Sequence, residues 1–393
     1  MTGQLLLIQQ RNSGDDQPAI LLRARGYGVI ATDDPVQALQ HLKSMPELCL
    51  VDVDLTASVE GWGGYYQECR ERGIPSLLFS GTGRQARALH GQEGEVDAIL
   101  RSPDDPAELL EKVAQLVRIR RLQLSLAGAR QLLSKRQAEQ EEDLRSAAQI
   151  QRSLIPAHMP NVDNYQFAWR FLPYEKIGGD LFNVLQLDED TVMAYLFDVS
   201  GHGVSSAMVS VSVYQSLSLH TGRIVKRVFV APPYYKILSP EEVLLELERE
   251  YPFDRFEKFF TITYLLLNIA NGRVRYSSAG HPPPVLVRKG GKMEFLRAGG
   301  GLIGLGIGPP FREEEVQLAA GDRLYLYSDG IPEFADRSGE LFGEARFLVL
   351  LKELRNLPLR PGCDRLMEEL RRFGAGAPLQ DDVTLLAIEF QGT

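Results

Sequence analysis

LFDVSGHG (196–203) is an apolar strand pattern that ends at Asp198 and continues into a glycine-rich turn. Three more segments also place a carboxylate beside a turn at one end of a strand: GGDLFN (178–183) with Asp180, LYLYSDG (324–330) with Asp329, and QDDVTLL (380–386) with Asp381 and Asp382. Any one of them alone is an ordinary turn aspartate. Because glycine lets backbone approach closely and Mg²⁺ or Mn²⁺ take oxygen ligands, the four together predict a divalent-cation site.

The region around these segments, residues 156–393, has the pattern of a layered α+β domain. Strand-like runs such as VMAYLFDVS and FTITYLLLNI come in hairpin-like series, and helical stretches such as 204–217 and 240–251 are inserted between them. This order differs from the strict strand–helix alternation of a parallel sheet. The sequence therefore predicts separate antiparallel sheets with helices packed against them.

The ordered motifs from about Ala147 to Phe390 resemble the PPM (type 2C) protein phosphatase superfamily, and within it the bacterial SpoIIE-like branch. Besides the four acidic segments, the matching blocks are AAQIQRSLIP (147–156), SAGHPPPVL (278–286), GGGLIGLG (299–306), GDRLYLYSDGIPEF (321–334) and LFG (341–343). The resemblance implies an αββα layered fold and a metal-dependent protein serine/threonine phosphatase of bacterial signalling.

The same resemblance assigns metal ligands position by position. It implies that Asp198 bridges two divalent cations, Mn²⁺ or Mg²⁺, and that the backbone carbonyl of Val199 binds one of them. Asp329 and Asp381 match the carboxylates that complete the first metal site, and Asp180 matches the one that holds the second. Two such cations activate a water that attacks phosphorus directly, without a phosphoenzyme.

Three further residues lie in or beside these motifs. His202 stands where a general acid could protonate the departing serine oxygen, or it is a turn histidine packed beside the site. Because the family pattern fits Asp381 better at the first metal site, the resemblance leaves Asp382 as an auxiliary metal ligand. His281, in SAGHPPP, fixes a turn before the next strand.

The implied substrate is a phosphoserine or phosphothreonine of a small regulatory protein of the anti-sigma-factor antagonist type. The alternative is an adaptor that holds a sigma factor and uses an inactive phosphatase fold only as a surface. An adaptor is free to lose its metal ligands, whereas this chain keeps all four core carboxylates. That retention favours the enzyme.

Residues 1–117 alternate short apolar runs with helical stretches. The strand-like runs are 5–8, 27–31, 48–53, 75–80 and 97–101, and the helical ones are 19–25, 35–42 and 106–117. Five strands alternating with helices predict a doubly wound α/β domain with a parallel sheet. The pattern resembles a response-regulator receiver, with Asp52 at the phosphoacceptor position and Ser80 at the hydroxyl switch position.

Several departures from the receiver pattern predict a pseudo-receiver that works without phosphorylation. Gln9 and Gln10 replace the acidic pair that binds Mg²⁺, and Ser102 precedes Pro103 where a lysine is expected. The stretch between Asp52 and Gly61 also carries one extra residue. Such a domain serves as an interaction or dimerisation module, and phosphotransfer to Asp52 is the open alternative.

Between the two domains, residues 118–155 lack proline and strand patterns and predict a helical linker that ends at Pro156. A heptad seam runs through Ile119, Leu122, Leu126, Ala129, Leu133, Arg136, Gln140, Asp143, Ala147, Ile150 and Leu154. Because most of these positions are apolar, the linker favours a parallel coiled-coil homodimer. A monomeric helix packed on its own domains is the alternative.

Composition narrows the remaining possibilities. The chain has 393 residues and a formal net charge of −9, which argues against binding nucleic acid. Its three cysteines show no CxxC pair, so a reduced, cytoplasmic protein is expected. No apolar run reaches the roughly 20 residues of a membrane span, and we expect no membrane partner.

Overall fold

The computed structural model describes residues 3–9, 17–56, 63–80, 96–100, 106–174, 177–219 and 224–392. The chain divides into two compact units, Met1–Ala138 and Glu139–Thr393. None of the helices within the described ranges combines the length and the apolar character that a bilayer crossing requires.

The N-terminal unit is built on a five-stranded sheet. Its strands are β1 (Gln4–Ile8), β2 (Gly28–Thr32), β3 (Leu48–Asp52), β4 (Ser76–Phe79) and β5 (Ala98–Leu100), and its described helices include α1 (Gln17–Ala24), α2 (Pro35–Leu42), α3 (Val53–Thr56) and α4 (Gly63–Glu71). The strand order is β2-β1-β3-β4-β5, and all neighbours are parallel. Leu6 and Val51 are buried in one core cluster and Leu5 and Leu50 in a second, which explains the continuous apolar strands. The predicted doubly wound α/β region is confirmed.

A single helix, α5 (Pro106–Leu154), follows the N-terminal sheet. The sequence predicted a domain boundary at residue 118, but the 49 residues form one continuous helix. At 1.5 Å per residue, this helix is about 70 Å long. Without an internal proline, nothing in the sequence interrupts the helix. All side chains from 121 to 143 are exposed, and these include the seam residues Leu122, Leu126 and Leu133.

Two antiparallel sheets form the middle of the C-terminal unit. The first contains β7 (Leu181–Gln186), β8 (Thr191–Val199), β11 (Phe260–Asn268), β12 (Arg273–Ala279), β15 (Gly299–Gly300) and β16 (Glu314–Gln317). The second contains β6 (Tyr165–Leu172), β13 (Val285–Val287), β14 (Met293–Phe295), β17 (Arg323–Tyr327) and β18 (Val383–Phe390). A small hairpin of β9 (Lys226–Val228) and β10 (Tyr235–Ile237) lies outside both sheets. Strand β15 is the exception, since it pairs with β12 in parallel.

Helices cover the outer faces of the two sheets. They are α6 (Val204–Ser216), α7 (Pro240–Glu250), α8 (Phe253–Phe256), α9 (Gly343–Leu354) and α10 (Leu359–Gly374). Val213 of α6 and Leu247 of α7 share a core with Phe197 of the first sheet. Phe347 of α9 and Leu366 of α10 share another core with strands of the second sheet, and a third core fills the space between the sheets. The predicted αββα layering is therefore confirmed.

Candidate metal centre

Asp180 directly precedes β7, and Asp198 lies on its antiparallel neighbour β8, at one end of the first sheet. β7 begins directly after Asp180, and Leu181 pairs with Phe197, so the next position outward sets Asp180 opposite Asp198. Asp180 is only 2% exposed. Burial, followed by the charges of Asp198 and Asp382, raises the pKa of Asp180 well above its ordinary range.

The charges of the other predicted carboxylates raise pKa values at the same end of the first sheet. Burial raises the pKa of Asp198 to about 7, and the charges of Asp329, Asp381 and Asp382 add to this effect. The pKa of Asp329 is also raised, first by burial and then by Asp381. Carboxylates from four segments that are distant in sequence therefore repel one another at one end of the two packed sheets. A bound cation would relieve that repulsion.

The residues present fit a hard cation by charge and by donor type. All of the candidate ligands are oxygen atoms, the donors that Mg²⁺ and Mn²⁺ prefer. In the part of the chain that the structure describes, no group of three or more His, Cys, Asp or Glu side chains is already arranged to hold a metal ion. The fit consequently rests on the mutual repulsion of these carboxylates, of which Asp180 and Asp382 are buried, and on the carbonyl oxygen of Val199 beside them.

Two glycines let the backbone approach these oxygens. A Cβ added at Gly179 would lie 2.5 Å from the carbonyl oxygen of Val199 and 2.6 Å from Oδ1 of Asp198. A Cβ at Gly178 would lie 1.8 Å from Oδ2 of Asp382. The GGD motif is therefore glycine-rich because side chains there would displace the predicted ligands.

Asp381 and Asp382 occupy different environments. Asp382 is 3% exposed, and its two carboxylate oxygens accept hydrogen bonds from the backbone N–H groups of Tyr174, at 2.9 Å, and Asp180, at 3.3 Å. Asp381 is exposed, and its Oδ1 accepts the N–H of Asp382 at 2.7 Å. Asp382 thus binds the backbone at Tyr174, before the GGD motif, and at Asp180, its last residue, whereas Asp381 is more accessible to an ion.

Sequence reasoning missed two polar side chains that position the site. The hydroxyl of Thr384 donates to Oδ2 of Asp180. Ser328 donates its hydroxyl to the carbonyl oxygen of Asp382 at 3.1 Å and accepts the N–H of Thr384 at 2.9 Å. The only sequence signal was their place beside the acidic motifs, at strand ends.

Gln151 of α5 is the most informative residue that the sequence did not single out. It is 7% exposed, its Nε2 donates to the carbonyl oxygen of Gly178 at 2.8 Å, and its Oε1 accepts the N–H of Gly178 at 3.2 Å. One turn earlier, Ala148 packs with Ile177 and Ala207. The carboxyl end of α5 is therefore fastened directly to the GGD motif.

The two candidate histidines differ sharply. His202 is exposed, and its ring meets the ring of Tyr174 edge-on, with centroids 6.5 Å apart. His281 is buried, and its Nδ1 lies 2.8 Å from Oγ1 of Thr261. Burial lowers the pKa of His281 to about 3, so its imidazole is neutral and acts as a packed structural group.

The candidate phosphoacceptor of the N-terminal unit lies at the end of β3. Oδ1 of Asp52 accepts the N–H of Asp54 at 3.0 Å, and the hydroxyl of Ser80 donates to Oδ2 of Asp54 at 3.0 Å. Gln9 is buried at the end of β1. The other departures from the receiver pattern lie outside the described residues: Gln10, Gly61, Ser102 and Pro103.

Comparison with known proteins identifies the family to which the C-terminal unit is similar. Residues 188–391 match the family model described as Stage II sporulation protein E (SpoIIE). Phosphoserine phosphatase RsbP of Bacillus subtilis is 29% identical over 254 residues, which cover 63% of this chain and 58% of RsbP. Phosphoserine phosphatase RsbU of the same organism is 26% identical over 210 residues, which cover 52% of this chain and 58% of RsbU.

A solved structure agrees with the fold. The PP2C domain of SiaA from Pseudomonas aeruginosa matches with a TM-score of 0.52 at 21% identity, covering 65% of this chain and 98% of that domain. The match extends the likeness to the fold of the αββα unit. The chain spans little more than half the length of the curated relatives RsbP and RsbU.

Proposed function

Because the chain belongs to the SpoIIE family of PPM protein serine/threonine phosphatases, we propose that it is itself a metal-dependent phosphatase of phosphoserine or phosphothreonine. The observation that carries this proposal is the set of mutually repelling carboxylates around the buried Asp180, with the pKa of Asp198 raised to about 7. Such a cluster is costly without a counter-charge. Two divalent cations, Mn²⁺ or Mg²⁺, would supply it.

In this proposal each ligand keeps the place that the resemblance gave it. Asp198 would be shared by both cations, the carbonyl of Val199 and the carboxylates of Asp329 and Asp381 would hold the first, and Asp180 would hold the second. A bound metal pair would supply an activated water and charge neutralisation of the phosphate. The reaction is then a direct hydrolysis without a phosphoenzyme.

Supporting residues orient the ligands. Asp382 fixes the backbone at Tyr174 and Asp180, and Thr384 holds the carboxylate of Asp180 through its hydroxyl. His202 protonates the departing serine or threonine oxygen. Its exposed position on the turn after Asp198 supports this role, because the leaving group must reach solvent.

The substrate we propose is a small phosphoprotein of the anti-sigma-factor antagonist type. Two relatives, RsbP and RsbU, bear the name phosphoserine phosphatase, which supports a phosphoserine substrate. The open edge where the carboxylates meet also suits a protein chain, since Asp381 and His202 are both exposed there. The N-terminal unit acts as a receiver-like regulatory domain that works without phosphorylation.

Helix α5 carries the regulation in this proposal. Its carboxyl end is fastened to the GGD motif through Gln151, so a shift of the helix would move the backbone beside Asp180. The exposed seam residues Leu122, Leu126 and Leu133 support a parallel coiled-coil homodimer.

Turnover of p-nitrophenyl phosphate tests the proposal against the adaptor alternative. Wild-type protein should release p-nitrophenol in the presence of Mn²⁺ and lose this activity on chelation. Asp198→Asn should keep its fold and lose turnover by about a hundredfold or more. Equal rates for both proteins would favour an adaptor that holds a sigma factor.

A further inference from the structure

A cavity of about 480 Å³ lies within the N-terminal unit. It is bounded by α4 and the loop after it, by the amino ends of β4 and β5, and by α5. Tyr66, Ile74, Leu116 and Ile119 give it an apolar wall. Its volume is in the range of pockets that bind small molecules. The cavity lies at the amino ends of the parallel strands, whereas Asp52 lies at the carboxyl end of β3.

A buried cation faces this cavity. Arg120 is only 7% exposed and donates from Nη2 to the carbonyl oxygen of Arg72 at 3.3 Å. No carboxylate in the described part of the chain lies within ion-pair distance of it. The next residue differs, because Arg121 pairs with Glu47 at 2.7 Å. Burial lowers the pKa of Arg120, whereas the hydrogen bond to Glu47 raises the pKa of Arg121.

The other charged residues that line the cavity are Arg70 and Asp97, and Asp97 is the only acidic one among the described residues. Oδ2 of Asp97 accepts the backbone N–H of Ser76 at 2.8 Å, so this carboxylate is already engaged. The carbonyls at the end of α4 offer Arg120 a partial charge only. A buried guanidinium with spare N–H donors is therefore left without a full counter-charge.

We propose that this cavity binds a small molecule that carries a phosphate or carboxylate group on an apolar body, with Arg120 as the anchor of the anion. The planar guanidinium matches the two oxygens of either group. The apolar wall receives the body of the ligand. Because Leu116, Ile119, Arg120 and Gln123 all belong to α5, an occupant binds the same helix that carries Gln151. The site does not depend on phosphatase activity.

Calorimetry on the full chain in EDTA tests this site. The probes are phenylphosphonate, which a phosphatase cannot hydrolyse, benzoate, and the neutral analogue benzyl alcohol. Saturable binding of phenylphosphonate alone assigns a phosphate ligand, and binding of benzoate alone assigns a carboxylate ligand. Benzyl alcohol should not bind. Absence of saturable binding of both anions up to about 10 mM overturns the proposal.

Matched variants locate the binding. Arg120→Met should weaken the binding of the anion by about tenfold or more. Arg121→Met should leave the affinity unchanged, because the neighbouring Arg121 is paired with Glu47. Gln123→Trp narrows the cavity from an exposed helix position and keeps Arg120, so it tests the site even if Arg120→Met does not fold. Unchanged affinity in Gln123→Trp and in any folded Arg120→Met protein would place the anion elsewhere.

Discussion

Gln151 and Gly178 exchange two hydrogen bonds, from Nε2 to the carbonyl oxygen at 2.8 Å and from the backbone N–H to Oε1 at 3.2 Å. The glutamine belongs to the last turn of α5, and the glycine begins the GGD motif. The pair therefore joins the end of the long helix to the backbone that presents Asp180. Under the proposed function, a shift of the helix would reach the predicted metal ligands through this pair.

Replacing Gln151 should weaken the metal site. In Gln151→Ala both hydrogen bonds are lost, and at about 1 kcal/mol each the Mn²⁺ concentration for half-maximal turnover should rise about fivefold to thirtyfold. The Mn²⁺ dependence of p-nitrophenyl phosphate hydrolysis measures this. Gln149→Ala is the control, since Gln149 is exposed on the same helix. Equal Mn²⁺ dependence of both variants would show that Gln151 does not support the metal site.

Alanine at Gly179 should abolish turnover while the protein stays folded. Its Cβ would lie 2.5 Å from the carbonyl oxygen of Val199 and 2.6 Å from Oδ1 of Asp198, so at least one of these oxygens must move. Gly290→Ala is the control, because a Cβ at Gly290 meets nothing within 4 Å. Circular dichroism and Mn²⁺-dependent turnover check the result, and near-normal activity of Gly179→Ala would contradict the ligand assignment.

His281 should make the protein less stable in mild acid. In the unfolded chain an imidazole takes up a proton below its ordinary pKa of 6.5, but in the folded chain the pKa of His281 is lowered to about 3. The unfolded state therefore binds more protons as pH falls from 6.5 towards 3, and stability is lost in that window by up to about 1.4 kcal/mol per pH unit.

Urea unfolding between about pH 7 and about pH 5 isolates this effect. His281→Asn should be less stable at neutral pH and should lose less stability on acidification than wild type. His158→Asn, at an exposed position, should follow the wild-type slope. Parallel slopes for wild type and His281→Asn would show that the folded histidine takes up its proton normally.

The coiled-coil proposal predicts different effects at adjacent leucines. Leu133 belongs to the heptad seam and is 62% exposed in the single chain, and its neighbour Leu132, off the seam, is 58% exposed. Burial in a dimer should make Leu133→Lys raise the dimer dissociation constant by about tenfold or more, with Leu132→Lys close to wild type. Analytical ultracentrifugation measures both, and a monomeric wild type would contradict the proposal.

The sequence predicted the layers well because hydrophobic periodicity and motif order are local. The strands of the N-terminal unit, the strands VMAYLFDVS and FTITYLLLNI, and the helices 204–217 and 240–251 follow from short patterns, and the structure has them within a few residues. The division at residue 118 had no comparable support, because helix-forming residues continue across it. One uninterrupted helix resulted.

The site was harder to predict where function depends on distant contacts. Gln151 is one of several polar residues on a polar helix, and only the tertiary structure shows that it reaches Gly178. Likewise the family pattern favoured Asp381 over the adjacent Asp382, but nothing in the sequence gave the environment of either carboxylate. Their difference arises because Asp382 is turned inward, towards the N–H groups of Tyr174 and Asp180.

The most direct test of the account is calorimetric titration of the metal-free chain with Mn²⁺. Wild-type protein should bind about two ions per chain, and Asp198→Asn should lose at least one of them. Asp163→Asn, a control at an exposed aspartate outside the site, should bind as wild type does. No Mn²⁺ uptake by the wild type, or the same stoichiometry and affinity in Asp198→Asn, would contradict the claim that these carboxylates hold a metal pair.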